Sequence, residues 1–148
     1  MRYVKPHGAL YNVAARDDSV ARVVAEAVRR VDQSLLLLTL AGSALAREGQ
    51  RAGLVIANEV FADRAYLPDG SLLPRDRPGA VLHDFDGVAR RALSMAQDGY
   101  VTAVDGTRLE VRPDSLCIHG DNPQALGLAK AVRAALEASG FSVTPFAE

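Results

Sequence analysis

The sequence predicts an α/β fold with mainly parallel strands, outer helices and one hairpin. Three observations carry this reading. Val20, Val23, Val24, Ala27, Val28 and Val31 recur at helical spacing. Residues 35–40 form a continuous apolar run broken only by Thr39, as expected of a strand buried on both faces of a parallel sheet. The two patterns alternate along the chain, which marks strand–helix–strand units.

The elements follow in order. Residues 2–5 read as a strand stopped by Pro6. Residues 17–31 are a helix, with Asp17 and Asp18 at the positive end of its dipole. Residues 35–40 are the buried strand. Ser43 caps a short helix that ends near Gly53. Residues 54–60 are the next strand. Residues 61–81 hold Pro68, Pro74, Pro78, Gly70 and Gly79 and are expected to form a long loop, with Pro68-Asp69-Gly70 as a turn. Residues 86–97 are a helix ended by Gly99. Residues 100–104 and 107–111 alternate and are joined by Asp105-Gly106, a hairpin pattern because both residues tolerate positive φ. Residues 115–118 are a strand, 123–139 a helix with Pro123 in its first turn and Gly140 after its end, and 141–145 a last strand.

Bulk composition narrows the function. With 148 residues, 49% apolar and 24% charged, the chain can bury a core and is expected to be a single domain over residues 1–148. The net charge of −1, from 17 basic and 18 acidic side chains, argues against nucleic acid or an anionic membrane as partner. The lone cysteine, Cys117, cannot form an internal disulfide, and MRYVKPHGAL holds no apolar run of signal-peptide length, so the cytoplasm is the expected location.

Working residues of parallel α/β folds gather beyond the C-terminal ends of strands. Three polar clusters fall there: Lys5-Pro6-His7-Gly8 with Tyr11 and Asn12; Asn58-Glu59 followed by Asp63-Arg64; and His119-Gly120-Asp121-Asn122. His119 and Asp121, two apart at a strand exit, form the minimum set for moving a proton or activating water. Asn122 serves equally well as a cap for the next helix. Lys5 and His7 suit an anion or a developing oxyanion, although alone they read as an exposed lysine and a backbone-bonded histidine. Glu59 ends a buried strand and requires a partner. Asp63 and Arg64 either pin the loop as an ion pair or let Arg64 clamp a substrate carboxylate. His83-Asp84 reads as a helix cap and Cys117, inside a strand, as a core residue rather than a nucleophile. His7, His119, Asp121 and Glu59 are acceptable metal ligands, but no HxxxH or CxxC spacing is present and no metal is expected. Neither GxxxxGKS/T nor GxGxxG occurs.

The stretches Val4-Lys5-Pro6-His7-Gly8-Ala9-Leu10-Tyr11-Asn12, Glu59-Val60-Phe61-Ala62-Asp63-Arg64-Ala65-Tyr66, Pro78-Gly79-Ala80-Val81, Val104-Asp105-Gly106 and Cys117-Ile118-His119-Gly120-Asp121-Asn122 together resemble the LamB/YcsF family. The resemblance runs in the same order over nearly the whole chain. It implies a β/α barrel of the polysaccharide-deacetylase-like type. It also implies the A component of a bacterial 5-oxoprolinase that opens 5-oxo-L-proline to L-glutamate with B and C subunits, and with ATP as co-substrate of the complex. In that picture Asp121 or Glu59 positions water, Lys5, His7 and His119 stabilise oxyanion or phosphate charge, and Arg64 holds the substrate carboxylate. Asp63, Tyr11, Asn12 and Asn122 complete the substrate-binding set. The family's front segment, with its acidic Asn-Cys-Asp-Leu-Gly-Glu-like and Gly-Phe-His-Ala-Gly-Asp-like motifs, has no counterpart here. The chain is therefore expected to be the back portion of a larger barrel, inactive alone, with open sheet edges through which copies associate. Two other readings stand beside this one: a metal-dependent deacetylase-like hydrolase of an amide or acylated sugar, and a truncated non-catalytic partner subunit.

Overall fold

The computed structural model describes residues 1–121 and 123–147; Asn122, expected above as a cap or a site residue, lies outside the described residues. The chain divides into two compact units, Met1–Glu59 joined by the stretch from Phe146, and Val60–Pro145.

The first unit is built of strand–helix repeats. Strand β1 (Tyr3–Val4) leads into α1 (Gly8–Ala14) and α2 (Asp18–Val31), then β2 (Leu36–Leu40), α3 (Ala44–Arg51) and β3 (Ile56–Phe61), which runs on into the second unit. The strands lie in the order β1-β2-β3 and pair in parallel, with Tyr3 opposite Leu36 and Leu40 opposite Glu59. Leu37, Leu38, Thr39 and Leu40 are all buried, which is why the apolar run does not alternate. Leu35 and Leu37 meet Ala21, Ala25 and Val28 of α2 and Ala44 and Leu45 of α3 in one apolar cluster. Ser43 caps α3 as expected, accepting from the amide of Ala46, while Asp17, expected inside α2 at the positive end of its dipole, is the cap and accepts from the amides of Ser19 and Val20. Helix α1 is absent from the sequence expectation. Glu48 of α3 is buried and is bonded by Arg22 and Arg51.

The second unit carries α4 (Phe85–Leu93), β4 (Tyr100–Thr102), β5 (Arg108–Glu110), β6 (Ser115–Cys117) and α5 (Ala125–Ala138). Asp84 caps α4 through the amide of Gly87. After α4 the chain widens into a π-helical turn, Ser94–Asp98, closed by Gly99 at φ 70°. The hairpin forms as expected, β4 and β5 pairing antiparallel with Tyr100 opposite Glu110. Strand β6 neighbours β3 in the sheet. Helices α4 and α5 pack through Val88, Ala92, Leu128 and Val132. At Gly127 the Phe85 ring lies close over the backbone, where a Cβ would come within 2.9 Å of it. The stretch 141–145 is not a strand: the amide of Phe141 bonds Leu136 at the end of α5, and no ladder continues from there. In the first unit Phe146 instead places its ring 4.9 Å from that of Tyr3.

The segment expected as a structureless loop is folded. Arg64 pairs with Val81 and Tyr66 with Leu72 as isolated bridges. The amide of Leu73 bonds Ala65, and that of Ala80 bonds Arg77.

Candidate active site

In the first unit, β1 delivers Lys5 and β3 delivers Glu59, while α1, starting directly after Lys5-Pro6-His7, turns Tyr11 inward. Glu59 is 3% exposed. Its Oε1 accepts from Lys5 Nζ at 2.5 Å, and its Oε2 from the Tyr11 hydroxyl at 2.9 Å. The Lys5 ammonium also stands 5.5 Å from the centre of the Tyr11 ring. A buried carboxylate is tolerable only when both its oxygens are engaged in this way. The cluster therefore holds a cation at the end of a strand in a fixed place. His7 is exposed at the N-cap position of α1 and makes no side-chain capping bond. Asn12 bonds the Gly8 carbonyl of its own helix.

In the second unit, Asp63 follows β3 by two residues and His119 follows β6 by two. Asp63 is fully buried. It accepts from the His119 amide at 2.9 Å, and its Oδ2 lies 3.0 Å from His119 Nδ1. The imidazole, partly exposed, stacks on Phe61 at 5.3 Å between ring centres. Burial pushes the Asp63 carboxyl up. The side-chain and backbone bonds from His119 and the imidazole charge outweigh that push and hold it below its ordinary value. With Asp63 on Nδ1, the other ring nitrogen, Nε2, is the one left to exchange a proton.

The expected pairing of His119 with Asp121 is therefore corrected: the carboxylate that orients this imidazole is Asp63. Asp121 is exposed and bonds Arg75, which holds its carboxyl below the ordinary value. Two residues of separation do bring Asp121 near enough to feel the His119 charge. The second correction concerns Arg64. It is neither paired with Asp63 nor open to a ligand. Its Nε donates to the Ala80 carbonyl at 3.1 Å and its Nη2 to that of Leu73 at 2.6 Å. Arg91, from α4, in turn donates to the Arg64 carbonyl at 3.1 Å and lies over the Tyr66 ring. Neither Arg75 nor Arg91 is singled out by sequence pattern. One is the sort of arginine found in any loop and the other of any helix surface, and only tertiary contact distinguishes them.

Fold and site together define a class: an α/β protein with a mostly parallel sheet, whose strand exits carry carboxylates paired with a lysine and a histidine. The family model described as LamB/YcsF family matches residues 1–148, and the chain belongs to that family. Among curated relatives it is 55% identical, over 98% of its own length and 58% of the relative's, to the A subunit of 5-oxoprolinase from Paracidovorax citrulli. It is 54% identical to the corresponding protein of Rhodopseudomonas palustris, over 98% and 57%. Among solved structures it matches the lactam utilization protein from Thermus thermophilus with a TM-score of 0.86 and 47% identity, over 97% of this chain and 57% of that one. The chain thus spans somewhat more than half the length of these relatives.

Proposed function

We propose that this chain is the part of the 5-oxoprolinase A component that supplies proton transfer and charge stabilisation for opening the lactam of 5-oxo-L-proline to L-glutamate. The observation that carries the reading is the Asp63–His119 dyad at adjacent strand exits. The relatives' names supply the reaction class. A buried carboxylate that fixes one imidazole nitrogen leaves the other to take a proton from water and return it to the departing ring nitrogen. The overall change adds water across the C–N bond of the lactam, the carbonyl carbon taking the hydroxyl and the nitrogen the proton. A lactam is a poor electrophile. Transfer of a phosphoryl group from ATP to its oxygen opens the carbon to attack: water adds, the ring nitrogen leaves with a proton, and a second water splits the resulting acyl phosphate into glutamate and inorganic phosphate. We assign that transfer to an assembly with B and C subunits rather than to this chain alone. Within the first unit Lys5, held by Glu59, is a cation of the kind that suits negative charge on oxygen, and His7 follows it by two residues.

We also propose that residues 1–148 are the back portion of a β/α barrel of the polysaccharide-deacetylase-like type. The parallel β1-β2-β3 order and the partial coverage of the relatives support this. The test is glutamate release from 5-oxoproline and ATP by an assembled complex containing this chain. Release is expected from the wild type and not from His119→Ala. A complex that is fully assembled and releases none sinks the reading.

A further inference from the structure

The long loop of the second unit presents a second arginine. We propose that Arg75 is the receptor for the substrate's carboxylate, and that Asp121 is the internal carboxylate the substrate displaces. This deepens the reading above and takes the identity of the substrate from it: a small cyclic amide with one carboxylate.

Arg64, the arginine next to the dyad in sequence, is 5% exposed and its donors are committed to the Ala80 and Leu73 carbonyls. Those bonds fix the backbone two residues before Arg75, so Arg64 is a positioning residue for the loop. Arg75 differs in every respect. Its side chain is 44% exposed, and its Nη1 bonds the Asp121 carboxylate, itself 60% exposed. An ion pair so open to water contributes little, and a competing carboxylate can replace one partner cheaply. A guanidinium offers a planar fork of donors that matches a carboxylate, and Asp121 engages one of them, Nη1. The place is right as well. Asp121 lies two residues beyond His119 and its carboxyl feels the charges of both Arg75 and His119. Arg64 in turn feels both Arg75 and Asp121. A carboxylate taken by Arg75 would stand in the place of Asp121, which follows His119 by two residues within the same unit.

Calorimetric titration of the full chain with 5-oxo-L-proline and with its uncharged primary amide tests the proposal. The acid should bind about tenfold or more tighter than the amide, the scale of a hydrogen-bonded charge contact. Arg75→Gln should erase the preference and Arg75→Lys keep part of it. Asp121→Asn should tighten binding of the acid, because the internal competitor is gone. A preference that survives Arg75→Gln, or none in the wild type, overturns the proposal, and so does weaker acid binding in Asp121→Asn. Glutamate release by the complex judges the 5-oxoprolinase reading separately. A wild type that prefers the acid through Arg75 but releases no glutamate refutes that reading and leaves the arginine's role standing.

Discussion

At Asp63 two opposing effects meet in one side chain. Burial favours its neutral form; two bonds and a charge from His119 favour its ionised form and prevail. A carboxyl held below its ordinary value stabilises the fold fully above that value, and the contribution disappears as pH falls through the folded-state value. Asp63→Asn should therefore lower the urea midpoint at neutral pH, and the gap to wild type should shrink as pH drops below about 4. In the assembled enzyme the same variant should cut turnover on the order of a hundredfold, the usual reach of acid–base catalysis. Turnover near wild type would reduce the dyad to a structural bond. Glu59 offers a contrasting case. Lys5→Met leaves its buried carboxylate with Tyr11 and without its cation, and should cost about 3 kcal/mol or more. Lys5→Met combined with Glu59→Gln should recover most of that loss. A double variant no more stable than the single one would show that charge pairing is not the reason. Both carboxylates were legible in the sequence as candidates because each follows or ends a strand that must be buried. Their partners were not, since Lys5 and Glu59 are 54 residues apart and Asp63 and His119 56 apart.

Elements with a strong local pattern are the ones the sequence reveals. Helix α2 has its apolar period and two aspartates at its positive end, β2 an apolar run broken only by Thr39, and the hairpin its Asp105-Gly106 turn. Helix α1 is not visible in the sequence because its seven residues, GALYNVA, are too few to display a period, and of the buried pair Tyr11 and Ala14 the larger answers to Glu59. The reverse holds at 141–145, where Phe141 and Val143 alternate as in a strand but pair with none among the described residues. The segment 61–81 carries every mark of a loop and is nonetheless ordered, because a side chain supplies the hydrogen bonds that a ladder would. Arg64 is that side chain. Arg64→Met keeps much of its apolar volume and leaves the Leu73 and Ala80 carbonyls without their donor. It should cost about 2 kcal/mol or more, and amides of this segment, Leu73 and Ala80 among them, should exchange faster. Unchanged protection there would mean that the bridges at Val81 and Leu72 hold the segment alone. The variant should also weaken acid binding through Arg75, whose backbone it releases.

For the molecule as a whole, the family is readable from the order of its motifs, and the family model spans residues 1–148. What a single chain cannot display is chemistry divided among partners. The relatives are named as one subunit of 5-oxoprolinase and are longer than this chain. ATP recognition commonly announces itself as a glycine-rich phosphate loop or as clustered positive charge. Here GxxxxGKS/T is missing, the net charge is −1, and Lys5 is engaged with Glu59 and Arg64 with the Leu73 and Ala80 carbonyls. The chain by itself should therefore neither bind ATP at micromolar concentration nor release phosphate from it. ATP turnover should appear only with the other subunits and rise with added 5-oxoproline. Calorimetry on the pure chain and phosphate release with and without the partners check this. A micromolar dissociation constant for ATP on the chain alone would move the phosphoryl chemistry into this polypeptide, and would give Lys5 or Arg75 a phosphate to bind rather than a carboxylate.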